Sequence, residues 1–463
     1  MSLEVDKISL QEQFEALVAA EDKSALQEFL NHQNISDVAE LIYENEEQEC
    51  MIITYLSIHR AASVFKILEL STQKRIIKDL PAHKTTELLN ELQADDRVAF
   101  LEELPTSIVR DLIKTLDPEE RKITLELLGY PENSVGRLMT PDYVYIFEKN
   151  TVSEVIETIR HYARGSETID VIYVIDEKGK LLDDIRIREF IIASPDTKVK
   201  DIMDGRFIAL NVHDDQEIAS NVFKMNNRVA LPVTDDNNIL LGIVTIDDIL
   251  WVAEEEFTED IQKIGGTEAL DAPYLDISMI KLIKKRAGWL VILFIGEMLT
   301  ATAMQFFSHD LEAATVLGLF IPLIMSSGGN SGSQASTLII QAMALGELTF
   351  TDWWRVMRRE IISGFILGVI LGSIGFLRIV LWQQLHIYNY GQYWQLVATT
   401  IFVSLIGIVL WGSLMGSMLP LLLKRLKLDP AASSAPFVAT LVDVTGIIIY
   451  FTVAYLFLHG KLL

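Results

Sequence analysis

Cysteine is almost absent from this 463-residue chain: Cys50 stands alone, which excludes a disulfide framework and a cysteine-based zinc site. Histidine is scarce as well, with eight residues and no HExxH-like spacing. Any bound metal must therefore be held mainly by oxygen, which favours hard ions such as magnesium, calcium or manganese. No paired nucleophile and base and no paired metal-ligand motif is apparent, so the chain does not read as an enzyme. The segment Met1 to Asp6 lacks a basic region followed by an apolar one. A cleaved signal peptide is not expected, and the soluble part is expected in the cytoplasm.

Positive charge is short in one half only. Residues 281–463 hold 12 basic and 8 acidic residues, which leaves 27 basic and 56 acidic for residues 1–280 out of totals of 39 and 64. The front is net −29 and the back +4. An acidic front repels nucleic acid, so no nucleic-acid partner is expected. The sequence reads as a strongly acidic soluble body fused to a charge-poor membrane domain, a layout that suggests cations, carried or sensed.

Five apolar stretches follow Lys281. Ala287–Phe307, Ile361–Leu381 and Ala435–Leu458 are long enough to span a bilayer, and the stretch from Trp394 to Leu423 is long enough to tilt. The second stretch, Ala313–Leu345, contains Ser326-Ser-Gly-Gly-Asn-Ser-Gly-Ser-Gln-Ala-Ser336, read as a non-helical break and a candidate ion path. Lys281, Lys284, Lys285 and Arg286 precede the first span. Arg355, Arg358 and Arg359 lie between the second and third, and Lys424, Arg425 and Lys427 follow the fourth. Positive residues stay on the cytoplasmic side, so five spans leave the C-terminus outside. Gly364, Gly368 and Gly372, with Gly412 and Gly416, have the spacing that lets helix backbones approach closely.

In the soluble half leucine recurs with a period of twelve, at Leu56, Leu68, Leu80, Leu92, Leu104, Leu116 and Leu128. Each unit reads as one short helix and a turn, and stacked units make an α-solenoid. Asp95 and Asp96 are placed at a turn ahead of a helix, where N-capping accounts for at least one. A second repeat begins near Met139. Val171–Asp176 and Ala230–Asp235 are matching strands, each followed by a turn, and the arrangement resembles a tandem pair of CBS modules. That resemblance implies adenine-nucleotide sensing or gating. Gly242, Thr245 and Asp248 match the ribose–phosphate motif, whereas Asp183–Glu189 lacks the Gly and the Thr or Ser, so at most one good nucleotide site is expected. Glu254, Glu255, Glu256, Glu259 and Asp260 then crowd one helix, where like charges one turn apart repel. Charge of that kind beside the membrane, relieved by a divalent ion, is a candidate sensor.

Three charged residues stand within the spans: Glu297, Arg378 and Asp443. A charge in hydrocarbon is costly and points to function. Asp443 lies among Thr440, Thr445 and Gly446, expected to leave room for a hydrated ion.

With Gly328-Gly-Asn330-Ser-Gly332-Ser-Gln334 and Asp443-Val-Thr-Gly446 in view, the whole chain resembles the MgtE family of magnesium channels and transporters. The resemblance implies a helical N domain (1–135), CBS modules (136–248), a connecting helix and hinge (249–280) and five spans (281–463). It implies a membrane-embedded homodimer with magnesium as both cargo and regulator. Asp443, Asn330 and Gln334 are the implied pore residues. Asp95, Asp96, Asp247, Asp248, Glu255, Glu256, Glu259 and Asp260 are the implied regulatory ones, and ATP or another adenine nucleotide the implied CBS ligand. The inner membrane is the expected location. Ser333 stands where the family usually has a second Asn, Trp251 interrupts the acidic helix, and Asn226-Asn227 replaces an acid. Transport of manganese or cobalt, or a CBS-regulated membrane receptor, stays open on residues alone.

Overall fold

A computed structural model of the chain describes residues 2–163, 165–270, 274–275 and 277–462. The chain divides into two compact units, residues 1–254 and 255–463. The first unit opens with short helices: α1 (Ser2–Ala19), α2 (Lys23–His32), α3 (Ile35–Glu44), α4 (Glu49–Tyr55), α5 (Ile58–Lys66), α6 (Leu70–Asp79), α7 (Ala82–Glu91), α8 (Ala94–Glu102), α9 (Thr106–Thr115) and α10 (Pro118–Leu127).

From α4 onward the leucine repeat gives one helix per period. Leu56, Leu80, Leu92, Leu116 and Leu128 each follow the last helical residue directly. Leu68 and Leu104 come one residue later. There each leucine closes a turn, and all but Leu128 pack into a shared core with Val64, Phe65, Ile76, Leu88 and Leu89, while Leu128 packs against a second core that holds Val98 and Leu127. Pro81 and Pro105 sit at helix N-caps and Pro118 in the first turn of α10, where a missing N–H costs nothing. Arg97 is fully buried. Its guanidinium donates to the carbonyls of Leu89 (3.0 Å) and Leu92 (3.1 Å) and to Thr124 Oγ1 (2.9 Å), and pairs with Glu120. One buried charge is thereby fully partnered and ties α8 to α10.

After α11 (Val135–Leu138) come two copies of one unit. The first is β1 (Tyr145–Phe147), α12 (Val152–Tyr162), β2 (Val171–Ile175), β3 (Leu181–Arg186) and α13 (Ile187–Ile192). The second is β4 (Leu210–Asn211), α14 (Gln216–Asn226), β5 (Ala230–Thr234), β6 (Leu240–Thr245) and α15 (Ile246–Ile264). In each sheet the first strand runs parallel to the second and the second antiparallel to the third, with Val171 opposite Arg186 and Ala230 opposite Thr245. The repeat extends to the turns. Asp176 accepts from the amides of Lys178 and Lys180, Asp235 from those of Asn237 and Ile239, and Gly179 and Asn238 both take positive φ. These equivalent turns pair across the modules, Leu181 N donating to Asn238 O and Leu240 N to Gly179 O, each at 3.0 Å.

The second unit holds α16 (Met279–Phe306), α17 (Ser308–Ala313), α18 (Thr315–Gly318), α19 (Ile321–Ala344), α20 (Trp353–Gln384), α21 (Trp394–Arg425) and α22 (Ala435–Leu458). Among the described residues four segments are long and apolar enough to cross a membrane: Met279–Phe306, Phe350–Gln384, Trp394–Arg425 and Ala435–Leu458. The fifth, α19, is 24 residues and therefore about 36 Å long, a sufficient length, but its middle is polar.

The expected break at Ser326–Ser336 is absent: this segment is helical throughout. Interruptions come earlier instead, between α17, α18 and α19. Small side chains that read as helix breakers here let α19 press against its neighbours. A Cβ on Gly412 or Gly416 would collide with the carbonyls of Gly328 and Gly332, and one on Gly368 would come 2.7 Å from Ile406 Cα. The serines bond between helices: Ser331 Oγ lies 2.8 Å from Ser413 Oγ, Ser333 Oγ donates to Ala435 O and Ser336 Oγ to Ser433 O. The glycine spacing read from sequence as allowing close backbone approach packs α20 on α21, and the structure adds α21 on α19.

Gly416→Ala is expected to cost about 1–3 kcal/mol, the usual penalty for overpacking. A lowered melting temperature of the detergent-solubilised protein checks this. An unchanged one contradicts the backbone contact.

Candidate metal centres

Asp443 occupies the ninth position of α22, half-buried, and its carboxylate has no hydrogen-bond or ion-pair partner among the described residues. It lies beside the backbone of α19: a Cβ on Gly329 would sit 3.9 Å from Asp443 Oδ1. Glu297 on α16 is within electrostatic reach. Asn330 and Gln334 are exposed one turn apart on α19, and Asn330 Nδ2 donates to Ser326 Oγ at 3.3 Å. The neighbouring threonines are less free than the sequence suggested. Thr445 accepts from Trp411 Nε1 (2.8 Å) and donates to Leu441 O, Thr440 donates to Pro436 O, and Gly446 is buried near Ile408. They pack α22 in place. Asp443 keeps the unclaimed oxygens.

Four of the regulatory candidates meet in the first unit. Asp95 and Asp96 lie inside the first turn of α8 rather than ahead of it, and neither caps the helix. Asp247 and Asp248 open α15, which begins three residues earlier than the connecting helix read from sequence. Lys66, the last residue of α5, joins the two pairs, its Nζ 3.3 Å from Asp96 Oδ2 and 3.6 Å from Asp247 Oδ2. Glu167, from the segment ahead of β2, adds a fifth carboxylate. Lys66 and Glu167 were not singled out in the sequence, since nothing local marks them.

Crowding and burial govern this group. Asp95 is 6% exposed, and among the described residues its Oδ1 has no hydrogen-bond partner, as is also true of Glu167 Oε2. Burial, then Asp248, Asp96 and Glu167, push the Asp95 carboxyl well above the usual range. Burial and Asp247 raise Asp248 to about 7, and burial raises Glu167 to about 7 against the pull of Lys66. Asp247 is also desolvated, but a hydrogen bond from Thr245 and the charge of Lys66 hold it low. No three carboxylate, His or Cys groups among the described residues are already arranged to hold an ion. The donors are hard oxygen, which suits magnesium.

The remaining candidates lie further along α15. Glu259 is 12 residues past Asp247, about 18 Å along the helix axis, so the expected set divides into two groups. Glu259 pairs with Lys263, whose Nζ is also 2.6 Å from Asp429 Oδ2, ahead of α22. Glu255, Glu256 and Asp260 share this acidic stretch.

The nucleotide candidates are placed differently from expectation. Thr245 donates to Asp248 (2.8 Å) and contacts Asp247, and a Cβ on Gly242 would lie 2.8 Å from Thr140 O and 3.0 Å from Met139 Sδ. The open cleft between the modules, about 610 Å³, is lined instead by Asp170, Arg186, Arg188, Lys224 and Arg228, among others. Arg186 and Arg188 come from the stretch that lacked the motif. Arg228 is held by the buried Asp184 at 3.2 Å.

Residues 11–133 match the MgtE intracellular N domain, 135–196 and 183–255 the CBS domain, and 321–453 the divalent cation transporter family MgtE. The magnesium transporter MgtE of Thermus thermophilus is 41% identical over 338 residues, 72% of each chain. The chain belongs to the MgtE family. A crystal structure of the cytosolic domain of the Mg2+ channel MgtE in complex with ATP aligns with a TM-score of 0.50 at 35% identity, covering 53% of this chain and 99% of that one. The soluble part of a magnesium transporter aligns with a TM-score of 0.51 at 27% identity, covering 54% and 99%.

Asp248 and Glu167 bind protons more tightly folded than unfolded, where carboxyls titrate near about 4. Their contribution to stability is complete below that pH and is lost as pH rises to about 7. An ion that binds the ionised forms restores it. Magnesium is therefore expected to raise the melting temperature more at about pH 8 than at about pH 6. Equal shifts at the two pH values contradict this.

Proposed function

We propose that this MgtE family member conducts magnesium across a membrane as a homodimer, through a path lined by Asp443, Asn330 and Gln334. Its chemistry is ion passage, not catalysis. One observation carries the reading: Asp443, on an apolar helix of crossing length, keeps a carboxylate that no neighbouring group among the described residues neutralises. Such a charge costs about 2.5–3.5 kcal/mol on insertion scales unless water or a cation reaches it. Magnesium sheds its waters reluctantly and is held by one or two carboxylates with amide oxygens around its hydration shell. One Asp443 supplies a single negative charge, and a second copy of the chain supplies the other. The names of the three relatives matched over 72% of this chain, all magnesium transporters, support magnesium over manganese or cobalt.

The acidic residues of the soluble domains supply regulation in this reading. Magnesium bound at Asp95, Asp96, Asp247 and Asp248, and at Glu255, Glu256, Glu259 and Asp260, relieves carboxylate repulsion and favours a compact, closed state. Low magnesium releases it. Lysine and arginine at the N-terminal ends of α16 and α20 and at the C-terminal end of α21 support soluble domains in the cytoplasm, with five crossings and the C-terminus outside. The CBS cleft, with Arg186, Arg188, Lys224 and Arg228, suits the phosphates of ATP or another adenine nucleotide, and the ATP complex of the related cytosolic domain supports that ligand.

Asp443→Asn keeps the shape of the side chain and removes its charge. In proteoliposomes it is expected to fold and assemble like the parent and to pass about a tenth or less of its magnesium flux. Asp443→Glu is expected to retain partial flux. Parental flux in Asp443→Asn refutes the proposed path.

A further inference from the structure

We propose that Lys66 is a tethered counter-ion: its ammonium takes the place between Asp96 and Asp247 that a divalent cation would occupy, and so sets the magnesium concentration at which this centre loads. The inference rests on the regulatory reading of the acidic residues given above.

Several observations converge on it. A lysine ammonium is a compact point charge with three donors, the closest match among side chains to a small cation. Its Nζ lies 3.3 Å from Asp96 and 3.6 Å from Asp247, bridging α8 and α15 as an ion would. Lys66 sets one positive charge against five carboxyl groups, so it cannot by itself balance them once they ionise. Among the described residues the buried Asp95 Oδ1 and Glu167 Oε2 atoms have no hydrogen-bond partner, so oxygen capacity remains for a further cation. Yet no three ligands converge while the lysine sits between the two pairs. A divalent ion that bridges Asp96 and Asp247 displaces the ammonium from between them.

Displacement is sterically open. The Lys66 side chain is 29% exposed, and its long stem can carry the charge outward into water. The tether matters in the opposite direction, because an attached cation competes at a high effective concentration and needs no recruitment from solution. The arrangement recurs on α15, where the Lys263 ammonium stands between Glu259 and Asp429. Two separate acidic pairs in one chain are thus each bridged by a lysine.

The test uses the full chain in detergent and limited proteolysis across a magnesium chloride titration. Three proteins are compared: the parent, Lys66→Met and Lys66→Arg. Lys66→Met is expected to become protected at about tenfold less magnesium than the parent, since a competing charge close by is gone. Lys66→Arg, which keeps the charge, is expected to stay within about threefold of the parent. If Lys66→Met folds too poorly to titrate, Lys66→Gln makes the same comparison. A parent protected by magnesium together with an uncharged variant needing as much or more overturns the counter-ion role and leaves the regulatory reading standing. A parent that magnesium does not protect overturns both.

Discussion

Carboxylates repel one another most strongly where water is scarce, and this chain crowds five of them where α5, α8, the segment before β2 and the start of α15 meet. Asp95, Asp96, Glu167, Asp247 and Asp248 face one ammonium, Lys66, and several of them retain protons near neutrality because full ionisation is so unfavourable. The helical repeats and the CBS modules can pack at this point only if protons, a lysine or a dissolved cation balance the charge. Arg97 shows the contrasting solution, a buried charge satisfied by two carbonyls, a hydroxyl and a carboxylate, which makes it a fixed strut. The difference separates a structural ion pair from a centre able to respond to its surroundings.

The membrane unit depends on the same economy of charge. Its helices meet through glycine and serine rather than through charged pairs, so backbone touches backbone along α19, α20 and α21. Against that uncharged packing, Asp443 is conspicuous. Trp411 occupies Thr445, and Ala439, Thr440 and Gly446 lie against α19, α16 and α21, whereas the Asp443 carboxylate has no hydrogen-bond or ion-pair partner among the described residues. Ser336, Trp289 and Lys263 all contact the segment between α21 and α22, which leads directly into the helix that carries Asp443.

Much of this architecture was legible in the order of residues. The twelve-residue leucine period specified one helix per unit because each leucine closes a turn, and the matched turns after Asp176 and Asp235 gave the duplicated α/β module. Charge bias separated the soluble and membrane halves, and the glycine spacing foretold which helices approach closely. What was not legible depends on distant partners. Ser326–Ser336 looked like a break because small polar residues destabilise an isolated helix; the facing surfaces that make them favourable lie about 80 to 100 residues away along the chain. Lys66 and Asp247 belong to different domains, and no local pattern announces that they touch. The motif at Gly242 and Thr245 has the right residue types, but their environment is filled by Met139, Thr140 and two adjacent carboxylates.

The most direct test of a cation-regulated cation path is one-sided flux. Full-length protein oriented in liposomes would carry a fluorescent magnesium reporter, with magnesium on the side of the soluble domains stepped from micromolar to millimolar. Under a fixed driving force, the account predicts that conductance falls as magnesium on that side rises and recovers when it is removed. A conductance that stays constant or increases would contradict it.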